Sequence, residues 1–256
     1  IDAALDLGIN HIDTADIYVG GRSEETLGEA LKGRWDRFFV ATKFVNPTGE
    51  GPNDRGASRY HIANAVEASL RRLGSDHVDL YYVHRWDADT PIAETLRALD
   101  DLIRAGKVRY VGASSFASWQ LAHANLLAEV RGWTPFVALQ SHYHMLERTV
   151  EREELPCCRA HGVGFVPYFP LAGGFLTGKY VRGEPAPAEL GVGRPRDLPV
   201  AVGLDVRGLA GPAFERGGEG GTDLANVQVQ YEVKFWGRLP PASISARADF
   251  DKAFHA

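Results

Sequence analysis

Short apolar segments alternate with longer segments of helical periodicity from residue 1 to about residue 170, and this alternation most constrains the fold. The apolar segments, which predict β-strands, cover residues 10–15, 38–43, 78–84, 108–114, 136–142 and 163–168. The helical segments cover residues 1–7, 25–32, 60–73, 92–105, 119–130 and 151–161. Repeated strand and helix units of this kind are typical of folds built on a parallel sheet.

Polar side chains recur where the predicted strands end. They are Asp13 and Tyr18 after the first strand, then Lys43, His84, Ser114 with Ser115, Gln140 and Tyr168. An open dinucleotide-binding sheet predicts a G-x-G-x-x-G turn after a strand instead, and the glycine cluster at 217–221 follows no predicted strand. A (β/α)8 barrel gathers reactive side chains from many strand ends at one mouth, so the sequence favours that fold.

The length of 256 residues suits one barrel domain or two smaller domains, and a hydrophobic content of 45% supports a sizeable core. We interpret residues 1–256 as a single domain with clear barrel units over 1–180. Residues 181–223 form a long loop rich in glycine and proline, followed by a C-terminal segment over 224–256. Within the C-terminal part, the pattern weakly indicates a helix at 223–235, a strand at 242–246 and a helix at 249–255.

Composition excludes several classes of partner. The formal net charge is −5 with acids and bases mixed along the chain, which indicates neither nucleic acid nor a charged membrane surface. No apolar run approaches the roughly 20 residues that span a bilayer.

The only cysteines, Cys157 and Cys158, are adjacent in the sequence. Adjacent cysteines are unsuited to a disulfide framework, and this favours a reducing compartment such as the cytoplasm. Because the chain begins at Ile1 inside a predicted helix, we expect further residues upstream.

Four of the strand-end residues form a chemically coherent set. A carbonyl that accepts hydride becomes an alkoxide and needs a proton, but a phenol with a pKa near 10 is a poor acid at pH 7. Lys43 beside Tyr18 is expected to lower the pKa of the phenol, and Asp13 would hold the ammonium in place. His84 can donate a hydrogen bond to the substrate oxygen. Each residue alone is more often a cap, a packing residue or a solvated side chain, so the prediction rests on the set.

The stretches that carry these residues resemble the aldo-keto reductase family over residues 1 to about 180. They read IDTADIY, GRSEETLG, VATK, SLRRLGSDHVDLYYVHRWD, GKVRYVGASSF, LQSHYHMLER and PYFPLAGGFLTGKY, in the order of the family. The resemblance implies a (β/α)8 barrel that uses NADPH to reduce aldehydes or ketones. It places the catalytic Asp, Tyr, Lys and His of the family on Asp13, Tyr18, Lys43 and His84.

The same resemblance implies a cofactor site. Ser114, Ser115 and Gln140 would hold the nicotinamide carboxamide, and Tyr168 would stack on the nicotinamide ring. The remaining implied contacts, to the pyrophosphate and the adenosine phosphate, fall on Pro170, Leu171, Gly173, Lys179 and Arg247.

The chain departs from the family pattern at several positions. Ser115 stands where Asn is usual, and Phe169 stands where Ser is usual. The motif that binds the adenosine phosphate in the family is only partly matched by residues 245–247. The first strand of the family and an aromatic residue of its substrate pocket would precede Ile1. These departures leave open a catalytically weak or inactive barrel that acts as a binding or regulatory subunit.

Two histidines could act as metal ligands by residue type. His142 and His144 lie two residues apart near a strand end, but no third ligand is evident, so no metal site is expected.

Overall fold

The computed structural model describes residues 1–178 and the backbone of Gln228–Val229. Its strands are β1 (His11–Asp13), β2 (Phe39–Phe44), β3 (Val78–Val83), β4 (Val108–Ser114), β5 (Ala138–His142), β6 (Gly164–Tyr168) and β7 (Gln228–Val229). Its α-helices are α1 (Asp2–Asp6), α2 (Arg22–Leu31), α3 (Arg59–Leu73), α4 (Ile92–Arg104), α5 (Ser118–Arg131) and α6 (Glu154–His161). Short 3₁₀ segments lie at Tyr18–Gly21, Trp35–Arg37, Thr149–Glu151 and Ala172–Thr177.

The strands form one sheet in the order β6-β5-β4-β3-β2-β1-β7. Strands β1 to β6 pair in parallel with their neighbours in sequence and alternate with helices. They form a curled half-barrel, which confirms the prediction of a (β/α)8 type of fold. Because all six strands run in one direction, their carboxyl ends meet at the same edge.

Strand β7 corrects the helix expected at residues 223–235. Its two residues pair antiparallel with β1, with Ile12 opposite Val229 and Asp13 opposite Gln228. Residues 227–231 read V-Q-V-Q-Y, an alternation of apolar and polar side chains that is typical of a strand. An edge strand such as β1 offers unpaired backbone groups that such a segment can satisfy. The elements expected at 242–246 and 249–255, and the loop over 181–223, lie outside the described residues.

The central strand β3 is buried on both faces, as is usual for strands inside parallel sheets. All six residues of β3 are buried, and Tyr81 packs in the large core between sheet and helices. Tyr82 packs instead in a smaller cluster on the inner face. A Cβ at Gly112 on the neighbouring strand would lie 2.5 Å from the Tyr82 ring, so this glycine makes room for the tyrosine.

Most predicted boundaries agree with the structure to within a few residues, and the differences have local causes. The strand expected at 136–142 begins at Ala138. Upstream of it, the backbone N–H and C=O of Phe136 are hydrogen-bonded by the Asn125 side chain, at 2.9 and 3.0 Å. These groups are therefore satisfied by a helix side chain and not by a neighbouring strand. Among the described residues, no helix is long and apolar enough to cross a membrane.

Candidate active site

The side chain of Lys43 is the centre of the site. Lys43 and Asp13 are fully buried and form an ion pair between adjacent strands. The ammonium also donates to the backbone oxygen of Thr14 at 2.8 Å and to the hydroxyl oxygen of Tyr18 at 3.4 Å. A lysine has three N–H donors, so each has a partner here. Tyr18 accepts a hydrogen bond from Lys43, which leaves its own O–H free to donate to a ligand.

Tyr18 is half-buried and is the first residue of the 3₁₀ segment that follows β1 after a four-residue connection. Its backbone N–H donates to the oxygen of Ala15 at 3.1 Å, and its ring meets the His84 ring edge-on at 5.9 Å. The next residue, Val19, has a φ of 51°, which is costly for a β-branched side chain. Such strain is often found at ligand sites, where the surrounding structure holds it in place.

The protonation states differ in one respect from the sequence-based expectation. Burial raises the pKa of Tyr18, and the Lys43 ammonium only partly opposes this effect. The expected lowering of this pKa is therefore wrong in net direction. Burial disfavours the Lys43 ammonium, but Asp13 and Tyr18 outweigh it and raise the pKa of Lys43. At neutral pH the site thus holds a neutral phenol beside a charged ammonium.

His84 follows β3 and is half-buried. Burial, with the nearby charges of Lys43 and Arg85, lowers the pKa of His84 to about 3. The imidazole is therefore neutral at physiological pH and carries one N–H donor. A neutral imidazole can donate a hydrogen bond to a carbonyl oxygen without competing with Tyr18 as the acid.

Ser114 and Gln140 are buried and opposite each other on β4 and β5. Gln140 Nε2 donates to Asp13 Oδ1 at 3.1 Å, a contact that the sequence did not predict. Ser115 is exposed, has a φ of 54°, and donates its backbone N–H to the oxygen of Gln140 at 2.8 Å. The structure therefore joins Gln140 to both Asp13 and the turn after β4.

The other predicted cofactor residues lie around the end of β6. Tyr168 is half-buried, while Pro170 and Leu171 are exposed. Gly173 lies in the following 3₁₀ segment with a φ of 61°, a conformation that suits glycine. Lys179 and Arg247 lie outside the described residues. No group of three potential metal ligands occurs in the part of the chain that the structure describes.

The sequence profile of the Aldo/keto reductase family matches residues 1–233. The chain belongs to this family.

Individual relatives agree with this assignment. An aldo-keto reductase of Fusarium vanettenii is 40% identical over 203 residues, covering 69% of this chain and 55% of that protein. An uncharacterised oxidoreductase of Bacillus subtilis is 42% identical over 194 residues, covering 71% of this chain and 59% of that protein. A probable voltage-gated potassium channel subunit beta of Arabidopsis thaliana is 42% identical over 187 residues, covering 72% and 57%. The chain thus spans somewhat more than half the length of these relatives.

Sequence reasoning missed a largely buried group of polar side chains behind the candidate site. We name it the Asp16 cluster, and it consists of Asp16, Glu24, Arg72 and Tyr81. Glu24 is buried and accepts hydrogen bonds from Thr42 Oγ1 at 2.6 Å and from Arg72 Nε at 2.7 Å. Asp16 is also buried, but neither of its oxygens bonds to a side chain of the described residues. Burial, then Asp16 and Glu24, raise the pKa of the Tyr81 phenol. The available signal in the sequence is Asp16, which lies between the apolar residues Ala15 and Ile17.

Replacing Asp16 with asparagine is expected to stabilise the protein at alkaline pH by about 2–4 kcal/mol. Burial and Glu24, partly opposed by Arg72, raise the pKa of Asp16 to about 7, well above the value of 3.8 for an unperturbed Asp. The folded state therefore favours the protonated form, and parent stability falls as pH rises from about 4 through about 7. Asp16→Asn removes this dependence. Urea unfolding at pH 5 and pH 8 measures the difference.

The control for Asp16→Asn is Glu24→Gln. Glu24 has hydrogen-bond partners on both oxygens, so its substitution should destabilise the protein at either pH. An equal gain from both substitutions would contradict the assignment of the proton to Asp16.

Replacing Ser115 with asparagine is expected to raise stability by roughly 0.5 kcal/mol and to tighten binding of a nicotinamide cofactor. Asn tolerates the left-handed conformation of residue 115 better than Ser, and it supplies the side-chain amide usual in the family. Ser115→Gly relaxes the same backbone without an amide. The midpoint temperature of thermal unfolding should therefore rise in both variants, whereas affinity for NADH or NADPH should rise only with Asn.

Proposed function

We propose that this chain is an NADPH-dependent oxidoreductase that reduces aldehyde or ketone carbonyls to alcohols, with Tyr18 as the general acid. The observation that carries the proposal is the environment of the Tyr18 hydroxyl. It accepts a hydrogen bond from the Lys43 ammonium, and its raised pKa keeps its own proton in place at neutral pH. Tyr18 therefore presents a proton to a ligand in the mouth of the half-barrel.

The described residues also suit the nicotinamide end of the cofactor. Ser114 and Gln140 supply a hydroxyl and an amide at adjacent strand ends, and both groups can pair with a carboxamide. Tyr168, at the end of the next strand, supplies a flat ring on which a second ring can stack. We further propose that Pro170, Leu171 and Gly173 line the pyrophosphate, and that Lys179 and Arg247 supply positive charge for the cofactor phosphates.

NADPH, when bound, supplies the hydride that the carbonyl carbon accepts. As negative charge develops on the carbonyl oxygen, Tyr18 donates its proton to that oxygen and becomes a phenolate. The Lys43 ammonium stabilises this phenolate, and Asp13 keeps the ammonium charged and in position. His84 donates its N–H to the same oxygen and orients the carbonyl.

The test of this proposal is a titration of the full chain with NADPH, followed by turnover. Binding should quench tryptophan fluorescence and alter nicotinamide fluorescence. Adding a broad panel of aldehydes and ketones should then oxidise NADPH, measured by the loss of nicotinamide absorbance. A chain that binds NADPH but turns over no carbonyl on the panel would contradict the reductase proposal.

A second candidate function is a binding or regulatory subunit with little or no catalysis. The observation that favours it is the similarity to a probable potassium channel subunit beta, at 42% identity over 187 residues. Tight NADPH binding without turnover would support this candidate. The coherent arrangement of Asp13, Tyr18, Lys43 and His84 favours the reductase.

A further inference from the structure

Two aromatic rings lie face to face where β5 and β6 end. His142 and Tyr168 are the last residues of these strands and are opposite each other in the parallel register. Their ring centroids are 5.2 Å apart, and the ring planes differ by only 3°. We name this pair the His142–Tyr168 stack. An offset parallel arrangement of this kind is a favourable geometry for two flat rings.

The stack is held by its neighbours. His144 is buried, and its Nδ1 accepts hydrogen bonds from the backbone N–H groups of Leu146 and Glu147, both at 3.1 Å. These bonds fix the His144 ring, which meets His142 edge-on at 4.8 Å. Phe169 also meets His142 edge-on, at 5.9 Å. The His142 ring is therefore confined by rings on several sides, and its freedom to rotate away from Tyr168 is small.

The charge state of His142 suits a stacking role. Burial and His144 lower the pKa of His142, against an opposing effect of Glu147. The ring is therefore uncharged at neutral pH, and packing it against Tyr168 does not desolvate a charge. Tyr168 in turn lies near enough to Tyr18 to contribute to the raised pKa of the Tyr18 phenol. The stack thus stands beside the proton donor.

We propose that His142 is a positioning residue that covers one face of Tyr168 and leaves the opposite face for the nicotinamide ring. This inference rests on the proposed function and deepens it. A ring has two faces, and a tyrosine free to rotate could present either of them or neither. With His142 on one face, Tyr168 is preorganised, so less rotational freedom is lost when the cofactor binds.

The experiment compares His142→Ala with His142→Phe in the full chain. Alanine removes the stacking ring, and we expect NADPH to bind roughly tenfold more weakly. Phenylalanine retains a flat ring without the imidazole nitrogens and should restore affinity to within about threefold of the parent. In steady-state assays, His142→Ala should raise KM for NADPH by a larger factor than it lowers kcat.

Adenosine 2′,5′-bisphosphate separates a local effect from general damage. This ligand shares the adenosine end of NADPH but lacks the nicotinamide. A positioning role predicts that its affinity is the same in the parent and in His142→Ala, whereas a misfolded or loosened barrel would bind both ligands poorly.

NADPH binding by the parent tests the proposed function, and the difference between the parent and His142→Ala tests the role of His142. If the parent binds NADPH and His142→Ala binds it equally well or more tightly, the positioning role is wrong and the proposed function stands. Tighter binding would mean that His142 covers the face that the nicotinamide needs. If the parent does not bind NADPH at all, both proposals are overturned.

Discussion

Tyr18→Phe is expected to lower carbonyl reduction by roughly 1000-fold or more while leaving NADPH affinity nearly unchanged. The substitution removes one oxygen atom and with it the proton that the developing alkoxide needs. Phenylalanine keeps the ring, which contacts the His84 ring edge-on at 5.9 Å, so the packing of the mouth is retained. Single-turnover oxidation of bound NADPH measures the chemical step without interference from product release.

The control for this variant is Tyr60→Phe. Tyr60 lies on α3, is 63% exposed, and has no part in the site. It should reduce carbonyls at the parent rate with the parent affinity for NADPH. A Tyr18→Phe enzyme that matched the Tyr60→Phe enzyme in rate would show that another group supplies the proton.

The protonation state of Tyr18 also predicts opposite pH profiles for carbonyl reduction and for the reverse reaction, alcohol oxidation. Reduction requires the neutral phenol, and because burial raises the pKa of Tyr18, the reduction rate should persist beyond the pH at which a free tyrosine ionises. Oxidation of the alcohol requires the phenolate as base, so its rate should increase with pH over the same range. Both profiles should be lost in Tyr18→Phe.

The sequence predicts which candidate side chains lie close together, because the topology of a parallel sheet decides where the strand ends meet. Parallel strands place Asp13, Lys43 and His84 at one edge whatever the details of packing, and the resemblance to a family adds their roles. The Gln140 to Asp13 hydrogen bond joins residues 127 positions apart, and no local pattern contains such a contact. Strand β7 is a similar case, since its pairing with β1 depends on a distant edge.

The sequence could not give the direction of the pKa of Tyr18, because that direction depends on burial. The proximity of the Lys43 ammonium, taken alone, predicts a lowered pKa for the Tyr18 phenol. In the structure, burial of the phenol outweighs the ammonium. The Asp16 cluster was missed for the same reason. An acid beside a strand reads as a cap until the fold shows that it is buried.

Lys43→Met is expected to destabilise the protein by about 3–5 kcal/mol and to abolish turnover. Methionine fills much of the volume of the lysine stem but leaves the Asp13 carboxylate buried without its cation. Tyr18 loses its hydrogen-bond donor at the same time. Urea unfolding at pH 7 gives the loss of stability, and NADPH oxidation gives the loss of activity.

The double variant Asp13→Asn with Lys43→Met tests the cause of that loss. Asparagine removes the uncompensated charge and retains an oxygen that can accept a hydrogen bond from Gln140, so the double variant should be more stable than Lys43→Met alone.

The matched control is Lys107→Met. Lys107 forms a partly exposed ion pair with Glu67, so this substitution should destabilise the protein by less than about 1 kcal/mol. All variants lacking Lys43 should stay inactive, because stability can be recovered without the ammonium whereas stabilisation of the Tyr18 phenolate cannot. Equal stability of the single and double variants would mean that Asp13 is protonated in the absence of Lys43, or that the site admits enough water to solvate the carboxylate.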